Sequence, residues 1–318
     1  MIVVNGEALM DVFDAGATTA GQALDARVGG SPFNVAIGLA RLAQPVAFFG
    51  AIGAGFLGER LVRALRDEGV QTGAVLRVAA PTTLGMVGLD AHGVADYAFY
   101  GGSAAAERQL QLADLVYAPP AAAYHFGSYA MVAEPVGSTL RELARRVAPQ
   151  ALVAYDVNVR LRVEPDISRW HAVLGEMLAH THLLKMSDED FGLLFPGRTP
   201  KCDGEAQAAD WMARGVHGVV ITRGGEGALA WTRHGRIDVP PVPTRLVDTV
   251  GAGDSFQAAL LAQLAPRLGR GATRCAQALE SLAQQGWVDA LAFAARAAAI
   301  TCSRRGADLP RHAEVDAT

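Results

Sequence analysis

The stretch Leu246-Val247-Asp248-Thr249-Val250-Gly251-Ala252-Gly253-Asp254-Ser255-Phe256 puts two glycines and an aspartate directly ahead of an amphipathic run. Such a turn lets backbone N–H groups converge on an anion, and the helix that follows adds partial positive charge at its N-terminus. An aspartate at that mouth works against simple phosphate binding, because like charges repel. It suits a site in which Asp254 takes a proton from a hydroxyl while the N–H groups of the turn hold the charge of a transferring phosphoryl group. The plain structural alternative is an aspartate that caps a helix start.

Further groups have the same character. In Val28-Gly29-Gly30-Ser31-Pro32-Phe33-Asn34-Val35-Ala36 the glycine pair permits close approach of a ligand, and Ser31-Pro32 is a good helix opening. Asn34 then falls in the first helical turn with an amide that suits a polyhydroxy ligand; an ordinary loop-to-helix junction explains the stretch equally well. Tyr155-Asp156-Val157-Asn158-Val159-Arg160 follows an apolar run, and its alternate polar groups point the same way if the chain stays extended. Asp11, placed after the first strand at its C-terminal end, stands beside the crevice past the strand C-termini where open α/β sheets bind ligands. Lys185-Met186-Ser187-Asp188-Glu189-Asp190 combines a cation with acidic groups, and Ser187-x-x-Asp190 doubles as a capping box. Thr222-Arg223-Gly224-Gly225-Glu226-Gly227 lets a flat or phosphorylated ligand lie against the backbone, or else makes a hairpin turn. The eight histidines form no H-E-x-x-H or comparable pair, so no zinc site is expected.

Short apolar runs at 46–49, 122–126, 152–155, 182–185 and 219–222 are expected to be the buried strands that carry these groups. Helical patterns at 32–42, 57–68, 136–147, 169–179 and 205–213 lie between them. That alternation argues an α/β fold with a mostly parallel sheet sandwiched by helices, whose ligand crevice lies past the strand C-termini. The last third is helical in pattern, at 254–264, 274–284 and 288–302. Residues 17–28 and 82–100 break the rhythm. The second contains two β-type runs joined at Ala91-His92-Gly93, and with the first it forms a small separate sheet or a pair of surface loops.

Composition removes other classes. The chain has 318 residues, 51% apolar and 19% charged, which excludes bulk disorder. Against 28 positive charges stand 32 negative ones, leaving no basic excess for nucleic acid. No continuous apolar run reaches the roughly 18 residues a membrane span needs. The opening Met1-Ile-Val-Val-Asn-Gly lacks a basic region and a cleavage site, so no secretory signal is expected. Cys202, Cys275 and Cys302 are odd in number and far apart, which fits incidental thiols in a reducing cytoplasm.

Taken together, the motifs resemble the ribokinase-like, or PfkB, family of carbohydrate kinases. Its two signatures are matched by residues 29–36 with the following 50–58 run, and by residues 248–256. The resemblance spans nearly the whole chain, from Gly6-Glu7 to Arg304-Arg305-Gly306-Ala307. Gly30-Ser31-Pro32-x-Asn34-Val35-Ala36, Tyr97-x-Phe99-Tyr100 and Asp156-x-Asn158-x-Arg160 look most like fructokinases. The resemblance implies one kinase domain over 1–318, with a discontinuous β lid from about 12–28 and 82–101. It implies Asp254 as general base and Gly251, Ala252 and Gly253 as anion hole. Asp11, Gly30, Asn34, Phe99 and Arg160 match sugar-side positions, and Lys185, Ser187, Asp190, Thr222, Gly224 and Gly227 match the nucleotide side. ATP with Mg2+ would be the phosphoryl donor. Asp248 and the Val250 carbonyl match the loop that holds a monovalent cation such as K+ in many relatives, and a homodimer through the lid is the implied assembly.

Four positions depart from the family pattern. Gly55 replaces a usual Asp and bears on a cap rather than chemistry. Ser187-x-x-Asp190 replaces Asn-x-x-Glu, which weakens an indirect magnesium role. Glu107 replaces the Asp usual after the lid hairpin, and Ala295 an Asn near the adenine. The alternatives are a 2-keto-3-deoxygluconate kinase or another sugar or nucleoside kinase of the family. An NAD-dependent oxidoreductase is disfavoured because no G-x-G-x-x-G follows the first strand. A sugar-binding regulator without catalysis would be expected to have lost the intact 251–254 motif.

Overall fold

The computed structural model describes residues 1–89, 95–267 and 272–317; the turn expected at Ala91-His92-Gly93 lies outside them. The strands are β1 (Ile2–Asn5), β2 (Leu9–Thr18), β3 (Gly21–Gly29), β4 (Val46–Gly53), β5 (Val75–Val78), β6 (Leu84–Leu89), β7 (Ala95–Tyr100), β8 (Ala123–Gly127), β9 (Leu152–Asp156), β10 (Leu183–Ser187), β11 (Gly218–Thr222), β12 (Ala228–Thr232) and β13 (Gly235–Val239). The helices are α1 (Ser31–Arg41), α2 (Phe56–Asp67), α3 (Val136–Val147), α4 (Ile167–Leu178), α5 (Asp188–Leu194), α6 (Pro200–Ala213), α7 (Ala252–Leu264), α8 (Ala272–Ser281), α9 (Gln284–Cys302) and α10 (His312–Asp316).

Nine strands form one sheet in the order β13-β12-β11-β10-β9-β8-β1-β4-β5. Every pairing from β11 to β5 is parallel; β12 and β13 join antiparallel at one edge. A parallel sheet must be covered on both faces, and the side-chain alternation of β1 shows how this is done. Ile2 and Val4 pack with residues of α1, α2, α7 and α9, whereas Val3 packs with residues of α3, α4, α5 and α6. All eight residues of β4 are buried, so its sequence reads as a continuous apolar run rather than an alternating one. Among the described residues no helix is long and apolar enough to cross a membrane.

Strands β2, β3, β6 and β7 build a second, four-stranded sheet in the order β3-β2-β6-β7. Its outer strand ends are exposed, while Met10 and Val12 reach into the main core. Asp11 therefore sits inside this small sheet, on β2, and not at the end of the first strand as its position in the sequence suggested.

Other expectations shift in detail. The hairpin β12–β13 and the strand β5 carried no signal: Ala228-Leu-Ala-Trp-Thr holds two alanines, which are poor strand formers outside a packed sheet. The helix expected from 205 begins at Pro200, where Thr199 accepts a capping bond from the Cys202 N–H. Gly55 is indeed a cap position, at the start of α2 and without a side-chain bond.

Candidate active site

Gly251 begins α7 in the left-handed conformation, with φ at 79°. A Cβ there would meet the Ala307 Cβ at 2.6 Å, so the turn admits glycine alone. Asp254 follows in the first turn. It is not the cap: α7 carries no side-chain cap, and the Asp254 carboxylate reaches across to α1. Ser31 Oγ donates to its Oδ1 at 2.6 Å and Asn34 Nδ2 donates to its Oδ2 at 2.8 Å. Gly30, with φ at 102°, makes the bend that brings α1 against it. Burial raises the Asp254 pKa; the two hydrogen bonds and the charges of Lys185 and Arg160 oppose that rise.

Asn34, expected to face a sugar with a free amide, gives one of its two Nδ2 hydrogens to Asp254. Asp11 takes its place among glycines: a Cβ on Gly29 would lie 2.1 Å from its Oδ2, and one on Gly85 3.0 Å from its Oδ1. Neither role of these glycines was visible in the sequence, because the strand pairing that creates it is long-range. Burial and the neighbouring Asp254 charge push the Asp11 pKa up to about 6, against the pull of Arg160.

Residues 155–160 do not stay extended. The strand ends at Asp156, and Asn158 adopts φ 44°, which separates the expected row of polar groups. Asp156 is buried and pairs with Lys185 Nζ at 2.7 Å. Burial raises its pKa to about 6 despite that cation. Lys185, itself 4% exposed, also donates to the Gly253 carbonyl at 3.4 Å, behind the start of α7. Arg160 is exposed and donates to its neighbour's carbonyl.

Ser187 and Asp190 form a complete capping box on α5. The other Asp190 oxygen accepts from Val159 N at 2.8 Å, tying this helix to the loop that carries Arg160.

On the other side of Gly253 opens a cavity of about 510 Å³. Thr222, Gly224 and Gly227 line it, with Pro241, Phe256 and Ala295. The glycine run here is both things the sequence allowed: it wall-papers the cavity and turns β11 into antiparallel β12. Gly227 is obligatory, since a Cβ would strike the Val239 carbonyl at 2.1 Å. The Asp248 carboxylate accepts from Val250 N at 3.0 Å and from Gly306 N at 2.8 Å. Two loops are thereby tied together beside α7.

Sequence reasoning overlooked a buried acidic pair at the base of the small sheet. Thr83 Oγ1 donates to Glu107 Oε1 at 2.7 Å, and the Tyr129 hydroxyl donates to the same oxygen at 3.2 Å. The Tyr129 ring lies 6.1 Å from that of Phe99 on β7. Glu7, 1% exposed, shares this neighbourhood, and burial above all raises its pKa to about 8. The unusual Glu at 107 was the available signal.

The family model described as pfkB family carbohydrate kinase matches residues 1–314. A fructokinase of Rhizobium leguminosarum bv. trifolii is 36% identical over 268 residues, which cover 83% of this chain and 79% of that protein. The crystal structure of a Xylella fastidiosa fructokinase with bound ATP matches with a TM-score of 0.86 at 26% identity, covering 99% of this chain and 97% of that one. A Vibrio cholerae O395 fructokinase holding fructose, ADP and calcium matches with a TM-score of 0.83, also at 26% identity and with the same coverage.

Proposed function

Because the chain belongs to the pfkB family of carbohydrate kinases, we propose that it transfers the γ-phosphate of ATP to a hydroxyl of fructose, with Asp254 as the general base. The observation that carries this reading is the position of Asp254. A buried carboxylate, held by two donors from α1, stands at the start of α7 between the small sheet and the 510 Å³ cavity. The relatives named above, fructokinases at up to 36% identity, support fructose as the acceptor.

In this reading the sugar lies under the small sheet as a lid. Asp11, Gly30, Asn34, Phe99 and Arg160 face it. ATP occupies the cavity, its base against apolar Pro241 and Ala295 and its phosphates against Thr222, Gly224 and Gly227. The attacking hydroxyl oxygen forms a bond to the γ-phosphorus, and its proton passes to Asp254. The bond from γ-phosphorus to the bridging oxygen breaks, and ADP leaves with the electron pair. The N–H groups of Gly251, Ala252 and Gly253 hold the charge on the moving phosphoryl group. Lys185, paired with Asp156 and bonded to the Gly253 carbonyl, fixes that turn from behind. Ser187 and Asp190 act indirectly, by holding the loop of Arg160.

No group of three or more His, Cys, Asp or Glu side chains able to hold a metal occurs among the described residues. A magnesium ion would be carried by the ATP phosphates and water and would supply charge neutralisation there. Asp248 fits a potassium ion together with the Val250 carbonyl, because each of its oxygens keeps a lone pair beyond its backbone bond. Leu24 and Tyr100 of the small sheet are more than half exposed, which supports pairing with a second copy there. The free thiols of Cys202 and Cys302 suit the cytoplasm.

A coupled assay of ATP consumption with fructose, ribose, adenosine and 2-keto-3-deoxygluconate tests the acceptor. Highest kcat/KM with fructose is expected; a clear preference for another member of the panel would reassign the substrate and keep the kinase.

A further inference from the structure

Ser31 begins α1 yet does nothing for it. The N-cap is Gly30, and no side chain caps the helix. Its hydroxyl instead crosses 223 positions of sequence to Asp254 Oδ1, at 2.6 Å. Asn34, one turn further along the same helix, takes Oδ2 at 2.8 Å. The geometry points to Ser31 as a positioning residue that holds the Asp254 carboxylate and follows its proton during transfer. This inference rests on Asp254 being the base.

The two donors are not equivalent. An amide N–H only donates, so Asn34 Nδ2 can hold Oδ2 as an acceptor and in no other state. A serine hydroxyl carries one donor and two acceptor lone pairs, and it rotates. It donates to Oδ1 while the carboxylate is charged, and it can turn to accept once that oxygen bears the sugar's proton. The distance lies in the range of a charge-assisted O–H···O⁻ bond. A carboxylate has about four acceptor positions, so one bond on each oxygen leaves room for the substrate hydroxyl.

The surroundings make this bond matter. Asp254 is buried, and burial favours the neutral acid, which cannot take a proton. Lys185 on β10 and Arg160 after β9 favour the charged form; Asp11 on β2 and Asp156 on β9 disfavour it. With charges of both signs facing the carboxylate, the Ser31 and Asn34 bonds are its direct side-chain hydrogen bonds.

The test measures kcat across pH 5.5 to 9 at saturating fructose and ATP, for the wild type, Ser31→Ala, Ser31→Thr and Asp254→Asn. Ser31→Ala is expected to lose about 10-fold in kcat at the acid end, the scale of one hydrogen bond to a charged group. The loss should shrink towards pH 9, with the acid limb moved to higher pH and both KM values unchanged. Ser31→Thr, which restores a hydroxyl, should return the limb to its wild-type position. A loss equal at every pH, no loss, or a raised KM for fructose with intact kcat would each overturn the role given to Ser31. Thermal melting of both Ser31 variants identifies a fold defect, and a Ser31→Thr that folds but does not restore the limb also counts against the role. Failure of the underlying reading looks different: it is an Asp254→Asn enzyme that keeps its kcat.

Discussion

At the scale of single residues, the site depends on side chains whose charge is set by where they are buried. Asp11 is the clearest case. Its carboxyl is shifted upward to about 6 by burial and by the Asp254 charge, so it loses its charge just below neutral pH. A hydrogen bond to a charged acceptor contributes about 1.5–3 kcal/mol, against about 0.5–1.5 kcal/mol for a neutral one. Fructose affinity measured by calorimetry should therefore weaken as pH falls from 8 to 5 in the wild type and stay level in Asp11→Asn. Gly29→Ala should mimic the loss, because its methyl would take the place of Asp11 Oδ2. The alanine displaces a side-chain tip rather than backbone, so the melting temperature should hold. Equal pH dependence in wild type and Asp11→Asn would remove Asp11 from the sugar site.

At the scale of elements, legibility followed the range of the interactions. The parallel strands and most helices were readable because their periodicity is local: the 136–147 helix was bounded to the residue. The glycine turn before α7 was readable for the same reason. What sequence could not supply were pairings across the fold. Ser31 looked like a helix opening until Asp254 stood beside it, and Asn158 at φ 44° broke a run that alternation had drawn straight. Lys185, expected on the nucleotide side, is buried in a pair with Asp156. The small sheet carries its own prediction. Strand β3 and the outer half of β2 bury little, and elements with few buried apolar contacts open at lower free energy than core strands. Hydrogen exchange in β2, β3, β6 and β7 should be fast without ligand and slowed by fructose. Protection confined to other elements would argue against a lid.

At the scale of the whole molecule, the buried acids couple folding to pH. Glu7 has its pKa raised from 4.5 to about 8, chiefly by burial, so the folded chain binds its proton more tightly than the unfolded one. The stability this contributes is full below about pH 4.5 and is lost as pH rises through about 8. Glu107 shifts in the same direction. Glu7→Gln, which keeps the shape and drops the titration, should flatten that decline: urea midpoints of variant and wild type should converge near pH 5 and separate at pH 9, the variant being higher. Parallel profiles would mean that Glu7 does not carry the coupling. The same fold-wide arrangement brings α1, α7 and the small sheet around one carboxylate, and the account stands on that group. The decisive measurement is the rate of ADP formation with fructose and ATP for Asp254→Asn beside the wild type, with both ligand affinities measured by calorimetry. A fall in kcat of about 10² to 10⁴ with affinities nearly unchanged is expected; a variant turning over fructose at close to the wild-type kcat would contradict Asp254 as the base.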